Sequence, residues 1–201
     1  IYEQPYNPLR PVVCFDERPC QLLDNVLMPI PMKPGRIERE DYHYKRNGTA
    51  VVLMAVEPLA GYRIVRVTEQ KTKKDYAEFM KCLSSHYPNA EKIVLVQDNL
   101  NTHNPSSFYE TFDAQDAFEL SQRFEFVYTP KKASWLNMAE IELSALSKQC
   151  LDRRIAQRRI LTKEVMTWSG KRNRLRTKIT WQFTKNIARE KLGRHYNIIR
   201  D

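Results

Sequence analysis

No stretch of the chain approaches the roughly 18 uninterrupted apolar residues of a membrane-spanning helix, and Ile1 to Arg10 lacks the basic-then-apolar pattern of a secretory signal. These two absences predict a soluble, cytoplasmic protein with no membrane partner. Cysteine is scarce and wrongly spaced for metal. Cys14, Cys20, Cys82 and Cys150 form no C-x-x-C pair, which argues against both a zinc site and a disulfide frame. Cys14 and Cys150 fall within apolar patterns and read as reduced packing residues. Internal repeats and low-complexity segments are also absent, which leaves a single non-repetitive core as the expectation.

What is present is enough for one such core. With 201 residues, 42% of them apolar, two domains would be cramped. A single domain over 1–201 is expected, with 1–11 as an N-terminal arm and 155–201 as a basic helical C-terminal part. Of 33 Lys/Arg and 24 Asp/Glu, 16 and 4 lie from Ser144 onward, which leaves 17 and 20 before it. A mildly acidic front and a strongly basic tail suit a protein that holds metal ions with one part and a polyanion with another. The plainer explanation is a solvated helical surface that happens to be basic.

Two short β-branched runs read as buried strands: Val12 to Phe15, ending at Asp16, and Ile93 to Gln97, ending at Asp98. Pro29, Pro31 and Pro34 forbid regular structure and make a loop. Thr49 to Glu57, the Pro58 to Gly61 turn and Tyr62 to Thr68 read as a β-hairpin. Tyr76, Phe79, Met80 and Leu83 stand at helical spacing and predict a helix over Lys73 to His86. Asn104-Pro105 should open a helix to about Phe112. Phe124 to Tyr128 should form a strand and Thr129 to Ser134 a loop. Further helices are expected over Asn137 to about Arg154, Leu161 to Arg174 and Thr184 to Leu192. This order predicts an α/β chain, a mixed sheet with helices packed on it.

Three separated acids, Asp16, Asp98 and Glu140, can make a cage for divalent ions. A carboxylate ending a buried strand cannot stay in the apolar interior unpaired, so it should emerge at the rim, where open α/β sheets put their sites. Each acid also has a bland explanation. Asp favours turns and caps, and Glu140 could bond back to the Asn137 amide as the last member of a capping box. At about 100° per residue, Ala139, Leu143, Leu146 and Cys150 share one stripe. Glu140 and Glu142 flank it on opposite sides, and periodicity alone does not choose between them. Glu17 points to the other side of its strand from Asp16.

Phe15-Asp16-Glu17, then Asp98-Asn99 with His103 five residues after the Asp, then Leu136-Asn137-Met138-Ala139-Glu140 resemble the three catalytic blocks of bacterial insertion-sequence transposases of the mariner superfamily. These are DDE transposases with a ribonuclease-H-like, retroviral-integrase-like fold. The resemblance runs from about Pro11 to the C-terminus. It implies that Asp16, Asp98 and Glu140, rather than Glu142, are the metal-binding acids. It also implies that Asn99, His103 and Asn137 steady those acids or position DNA. The interval from Asp98 to Glu140 is longer than in many mariner relatives, which makes Asp113 to Arg123 the segment whose conformation the resemblance does not give.

All-oxygen ligands imply two Mg²⁺ or Mn²⁺ ions, clamping the attacking and leaving oxygens of a phosphoryl displacement. The implied activity is cleavage of double-stranded DNA at transposon ends, followed by transfer of the 3′-hydroxyl into target DNA. Phosphate contacts call for cations. Arg46, Asn47, Lys131 and Lys132 stand near the motifs, and Arg153 and Arg154 lie in the basic tail. Trp135 could stack on an unpaired base, or pack as a helix staple. Such transposases act as synaptic dimers at the nucleoid. They carry helix-turn-helix modules before the catalytic domain, whereas about eleven residues precede the first strand here. A separate N-terminal DNA-binding module is therefore an expected partner. The competing readings are another ribonuclease-H-like nuclease and a non-catalytic DNA-binding remnant.

Overall fold

The computed structural model of the chain describes residues 1–131, 133–187, 189 and 190. Five strands form one sheet: β1 (Val12–Asn25), β2 (Tyr44–Glu57), β3 (Tyr62–Thr68), β4 (Ile93–Gln97) and β5 (Phe124–Tyr128), in the order β3-β2-β1-β4-β5. The first three strands are antiparallel neighbours. β4 and β5 join them in parallel, β4 beside β1. Helices cross between the parallel strands, as that geometry requires: α1 (Lys73–Ser85) before β4, then α2 (Ser106–Tyr109) and α3 (Ala114–Gln122) before β5. Two more helices, α4 (Met138–Gln149) and α5 (Arg158–Arg174), follow β5.

The sheet is covered on both faces, which explains the unbroken apolar runs of β2 and β4. On one face α1 lays down Tyr76, Phe79, Met80 and Leu83 against Phe15, Ile64 and Leu95. Thr72 starts that helix with a capping box shared with Asp75. On the other face α4 and α5 cover Val52 and Met54 with Leu143, Leu146, Leu161, Val165 and Trp168. Each large side chain fully buried in these layers contributes about 1.5–3 kcal/mol. Cys14 belongs to a third apolar cluster with Met138 and Ala139. Burial pushes its thiol up to about 12, so it packs as an inert residue, and all four cysteines are free. No helix among the described residues is long and apolar enough to cross a membrane.

Several boundaries differ from expectation. β1 does not stop at Asp16 but runs on to Asn25, because β2 extends back to Tyr44 and keeps pairing with it. β4 matches only Val12 to Cys14, so around Pro19 β1 has no strand paired on this side, which tolerates the proline. The helix expected from Asn104 to Phe112 shortens to α2, and α3 follows under its own cap, the Asp113 carboxylate accepting from the Asp116 amide. α4 ends at Gln149 rather than near Arg154. The chain after it turns back onto β1, where Ile155 O accepts from the Leu23 amide at 3.0 Å. The proline-rich loop carries two isolated bridges, Ile30 with Arg39 and Lys33 with Arg36. The helix expected over Thr184 to Leu192 lies partly outside the described residues, and Lys132 lies outside them altogether.

Candidate active site

The parallel pairing of β1 with β4 sets two acids side by side. Cys14 is level with Val96, and two residues further along the same register come Asp16 and Asp98. β4 ends at Gln97, so both carboxylates reach the rim where the parallel ladder stops. α4 arrives from above: the Asn137 side-chain amide donates to Phe15 O at 2.7 Å, while its oxygen accepts from the Ala139 amide at 3.1 Å. One buried side chain thus caps α4 and fastens it to the backbone beside Asp16. The Asn137 amide donates to Ser134 O at 2.7 Å, so it is not the partner of Glu140, and the capping-box explanation of Glu140 does not hold. Glu140 is exposed and shares an open cleft of ≈ 360 Å³ with Asp16, Glu17, Arg18, Ser147 and Lys148.

Among the described residues, neither Asp16 nor Glu140 forms an ion pair, whereas Glu17 does. Burial pushes the Asp16 carboxyl up to about 7. The Glu17 amide opposes the shift with a 2.8 Å hydrogen bond, and the charges of Glu17, Asp98 and Glu140 add to it. Among the described residues, no three His, Cys, Asp or Glu side chains close on a common point tightly enough to hold a metal ion. The acids share one rim without forming a finished cage.

Glu17, on the opposite face of β1, is the residue that sequence reasoning undervalued. Its Oε2 lies 2.9 Å from His103 Nε2, in ion-pair reach but without hydrogen-bond geometry, and its Oε1 is 3.2 Å from Lys71 Nζ. The other His103 nitrogen, Nδ1, meets Asp98 Oδ1. The ring is buried between Phe15 and Tyr76, with centroids at 5.1 Å from each. Gln97 donates to the His103 carbonyl at 2.7 Å. Burial works against a charge on His103, but its contacts with Asp98 and Glu17 more than offset this and raise it to about 9. The imidazolium therefore bridges two carboxylates at neutral pH and fixes the orientation of Asp98. Asn99 is exposed and stands apart from this chain of contacts.

On α4, Glu142 faces away from the cleft into a buried cluster. It is 1% exposed, and the guanidiniums of Arg63 and Arg172 both donate to Glu142 Oε1. Arg63 also donates to Gly61 O at 2.7 Å and to Thr177 O. Periodicity gave no sign of this cluster, because an arginine alternating with Ile64 and Val65 reads as a solvent-facing strand residue.

Three of the expected DNA-contacting residues gather at one end of the β1–β2 pair, where the Arg46 and Arg154 guanidiniums stand 5.8 and 5.7 Å from the Tyr44 ring and Asn47 lies beside Ala156, while Lys131 and Trp135 follow β5. Arg46 and Lys131 are exposed. Asn47 donates to Ala156 O at 3.2 Å, and Arg153 pairs with Glu164 at 2.8 Å. Arg154 is taken up by Asn25 Oδ1, His43 O and Asp41 O, at 2.8, 3.1 and 2.6 Å, and so anchors the proline-rich loop. Trp135 is half-exposed and packs edge-on against Phe183 at 5.0 Å. Arg18 and Lys148, which the sequence did not single out, are exposed in the cleft itself.

The arrangement has relatives. The sequence profile described as DDE superfamily endonuclease matches residues 11–162. Among solved structures, the chain is similar to the Mos1 mariner paired end complex with Mn, at 14% identity and a TM-score of 0.54, over 84% of this chain and 51% of that one. It is similar to a pre-cleavage Mos1 transpososome at 12% identity and a TM-score of 0.55, over 84% and 55%. A Mos1 strand transfer complex matches at 13% identity and 0.54, over 81% and 48%. At such identities the likeness is one of fold, and the chain spans about half the length of these relatives. The mixed five-stranded sheet with its helices is the ribonuclease-H-like fold expected from the sequence. No curated protein matches the chain. Because the family match takes in the sheet, Asp16, Asp98 and Glu140, and well over half of the chain, the protein belongs to the DDE superfamily endonucleases.

Proposed function

We propose that the chain is the catalytic domain of an insertion-sequence transposase of mariner type, cutting double-stranded DNA at transposon ends and passing the freed 3′-hydroxyl into target DNA. The observation that carries this is the rim shared by Asp16, Asp98 and Glu140, where Asp98 is paired with His103 while Asp16 and Glu140 form no ion pair among the described residues. Asp16 and Glu140 line one open cleft, and the charges of Asp98 and Glu140 both bear on Asp16. An all-carboxylate donor set with excess negative charge fits Mg²⁺ or Mn²⁺, so the residues that would hold two such ions are Asp16, Asp98 and Glu140. When bound, the ions supply polarisation of the phosphate and of the attacking and leaving oxygens. His103, held by Glu17, keeps Asp98 oriented. Asn137 holds the start of α4, and so Glu140, against β1. Arg18 and Lys148 are the cations placed to take phosphates of DNA lying in the cleft, with Lys131 and Arg46 further out.

The chain forms one domain, with 1–11 its arm and 155–201 its basic C-terminal part, and works in the cytoplasm at the nucleoid. Self-association as a synaptic dimer is supported by the exposed apolar side chains of the proline-rich loop, among them Met28, Met32 and Ile37, at 92, 75 and 80% exposure. A separate N-terminal DNA-binding module would supply recognition of transposon ends. A second reading, a DNA-binding remnant without catalysis, is favoured by the open spacing of the three acids. The test is nicking of labelled duplex DNA with and without Mn²⁺, comparing wild type with Asp98→Asn. Metal-dependent nicking that the substitution removes supports the transposase. Metal-independent binding with no nicking in either protein supports the remnant.

A further inference from the structure

Tyr76 brings a hydroxyl onto the buried face of α1, among Phe79, Met80 and Leu83. Burial pushes that hydroxyl up, with its bond to Gln97 opposing, so it stays protonated and donates to Gln97 Oε1 at 2.8 Å. Gln97 is fully buried at the end of β4, and its Nε2 donates to His103 O at 2.7 Å. The direction of this chain of bonds is fixed. A backbone carbonyl can only accept, so the amide nitrogen must face His103, which leaves the amide oxygen for Tyr76.

Stability alone does not call for this pair, because apolar groups of the same shape can replace two hydrogen-bonded partners almost neutrally. What the pair adds is direction. Asp98 and His103 stand at the two ends of the turn after β4, and Gln97, the residue before Asp98, holds the far end by its carbonyl. Tyr76 also stacks on the His103 ring, with centroids 5.1 Å apart and planes at 26°, while Phe15 meets that ring edge-on. Tyr76 is held in turn by Phe108 of α2, stacked on it at 5.9 Å, and by Phe15, edge-on at 5.5 Å. Phe15 and Gln97 each directly precede an acid of the rim. One buried ring thus bears on both strands that deliver Asp16 and Asp98.

We propose that Tyr76 is a positioning residue for the metal-binding rim. Through Gln97 it fixes the main chain at His103, and by stacking it fixes the plane of the ring, so that His103 Nδ1 meets Asp98 in one orientation. The inference rests on the reading of Asp98 as a metal-holding acid, and it is independent of what the chain then does to DNA.

The test is equilibrium dialysis of Mn²⁺ against the full chain without DNA. Tyr76→Phe removes the hydroxyl alone and should weaken uptake about three- to tenfold, short of the roughly 10–100-fold expected when a partner touching the ligand is lost. Gln97→Met, similar in length but without the amide, severs both bonds and should weaken uptake at least as much. In a His103→Ala background Tyr76→Phe should cost nothing further, because no ring is left to aim. Leu83→Val, on the same buried face but outside the chain of bonds, should lower the melting temperature and leave uptake unchanged. The proposal is overturned if folded Tyr76→Phe and Gln97→Met both titrate like wild type, if the loss is as large in the His103→Ala background, or if Leu83→Val loses as much. A wild type that takes up Mn²⁺ but nicks no DNA would count against the transposase alone, and weaker uptake in Tyr76→Phe would still support the positioning role. A wild type that takes up no Mn²⁺ would overturn both.

Discussion

Glu140 and Glu142 stand two residues apart on α4, about 200° around the helix from one another, and their surroundings are opposite. Glu142 is 1% exposed and has two guanidiniums donating to it, while Glu140 is exposed in a cleft it shares with Asp16 and Glu17. The same contrast holds for the regions they belong to. In the cluster of Arg63, Glu142 and Arg172 the buried acid has two cations paired to it, and the contacts join β3, α4 and α5. At the rim, Asp98 is paired with His103, but Asp16 and Glu140 form no ion pair among the described residues, and burial lifts Asp16. A buried acid with its counter-ions in place is a structural joint. An acid group lacking them is poised for a ligand. The two are coupled, because fixing Glu142 inward is what turns Glu140 outward.

Five variants break or sharpen this contrast. The largest effect is expected from Glu142→Gln, which strands Arg63 with a buried, unbalanced charge and should cost about 3–5 kcal/mol in thermal or urea unfolding. Replacing Arg63 and Glu142 together by Met and Leu should recover most of that loss. Glu140→Gln should do the reverse: unfolding unchanged within about 0.5 kcal/mol, but metal-dependent nicking lowered by at least about 100-fold, beyond the cost of removing a mere ligand-supporting residue. Gly61→Ala introduces a Cβ at φ 68° against the Arg176 backbone and should destabilise by about 2 kcal/mol, read as a shift in denaturation midpoint. The smallest effect belongs to Glu17→Gln. It leaves His103 with Asp98 alone, and the nicking rate should fall about tenfold while DNA binding holds.

How much of this was legible in the sequence depends on the range of the interactions. Strand and helix positions set by local periodicity, such as β4, β5 and α1, emerged close to where the pattern put them. Asp113 capping α3 was equally local, yet it was passed over because it fell in the segment for which the resemblance gave no guide. The length of β1 was not legible, because Arg18 to Asn25 is held by pairing with distant β2 rather than by its own residues. The two faces of β1 were readable from alternation, so Asp16 and Glu17 were correctly separated. That Glu17 would meet His103, 86 positions later, and that Arg63 would find Glu142, 79 positions later, are facts of tertiary packing. For the same reason Arg154, read as a phosphate contact, could not be recognised as the anchor of the proline-rich loop.

The central claim is that the rim of Asp16, Asp98 and Glu140, and not the ion-paired cluster around Glu142, holds divalent ions. A Mn²⁺ titration followed by the loss of the free-ion electron paramagnetic resonance signal tests it directly. Wild type should take up Mn²⁺, Asp16→Asn should lose most of that uptake, and Glu142→Gln, measured below its lowered melting temperature, should keep it. A wild-type chain that leaves the free-ion signal untouched, or an Asp16→Asn variant that titrates like wild type, would contradict the account.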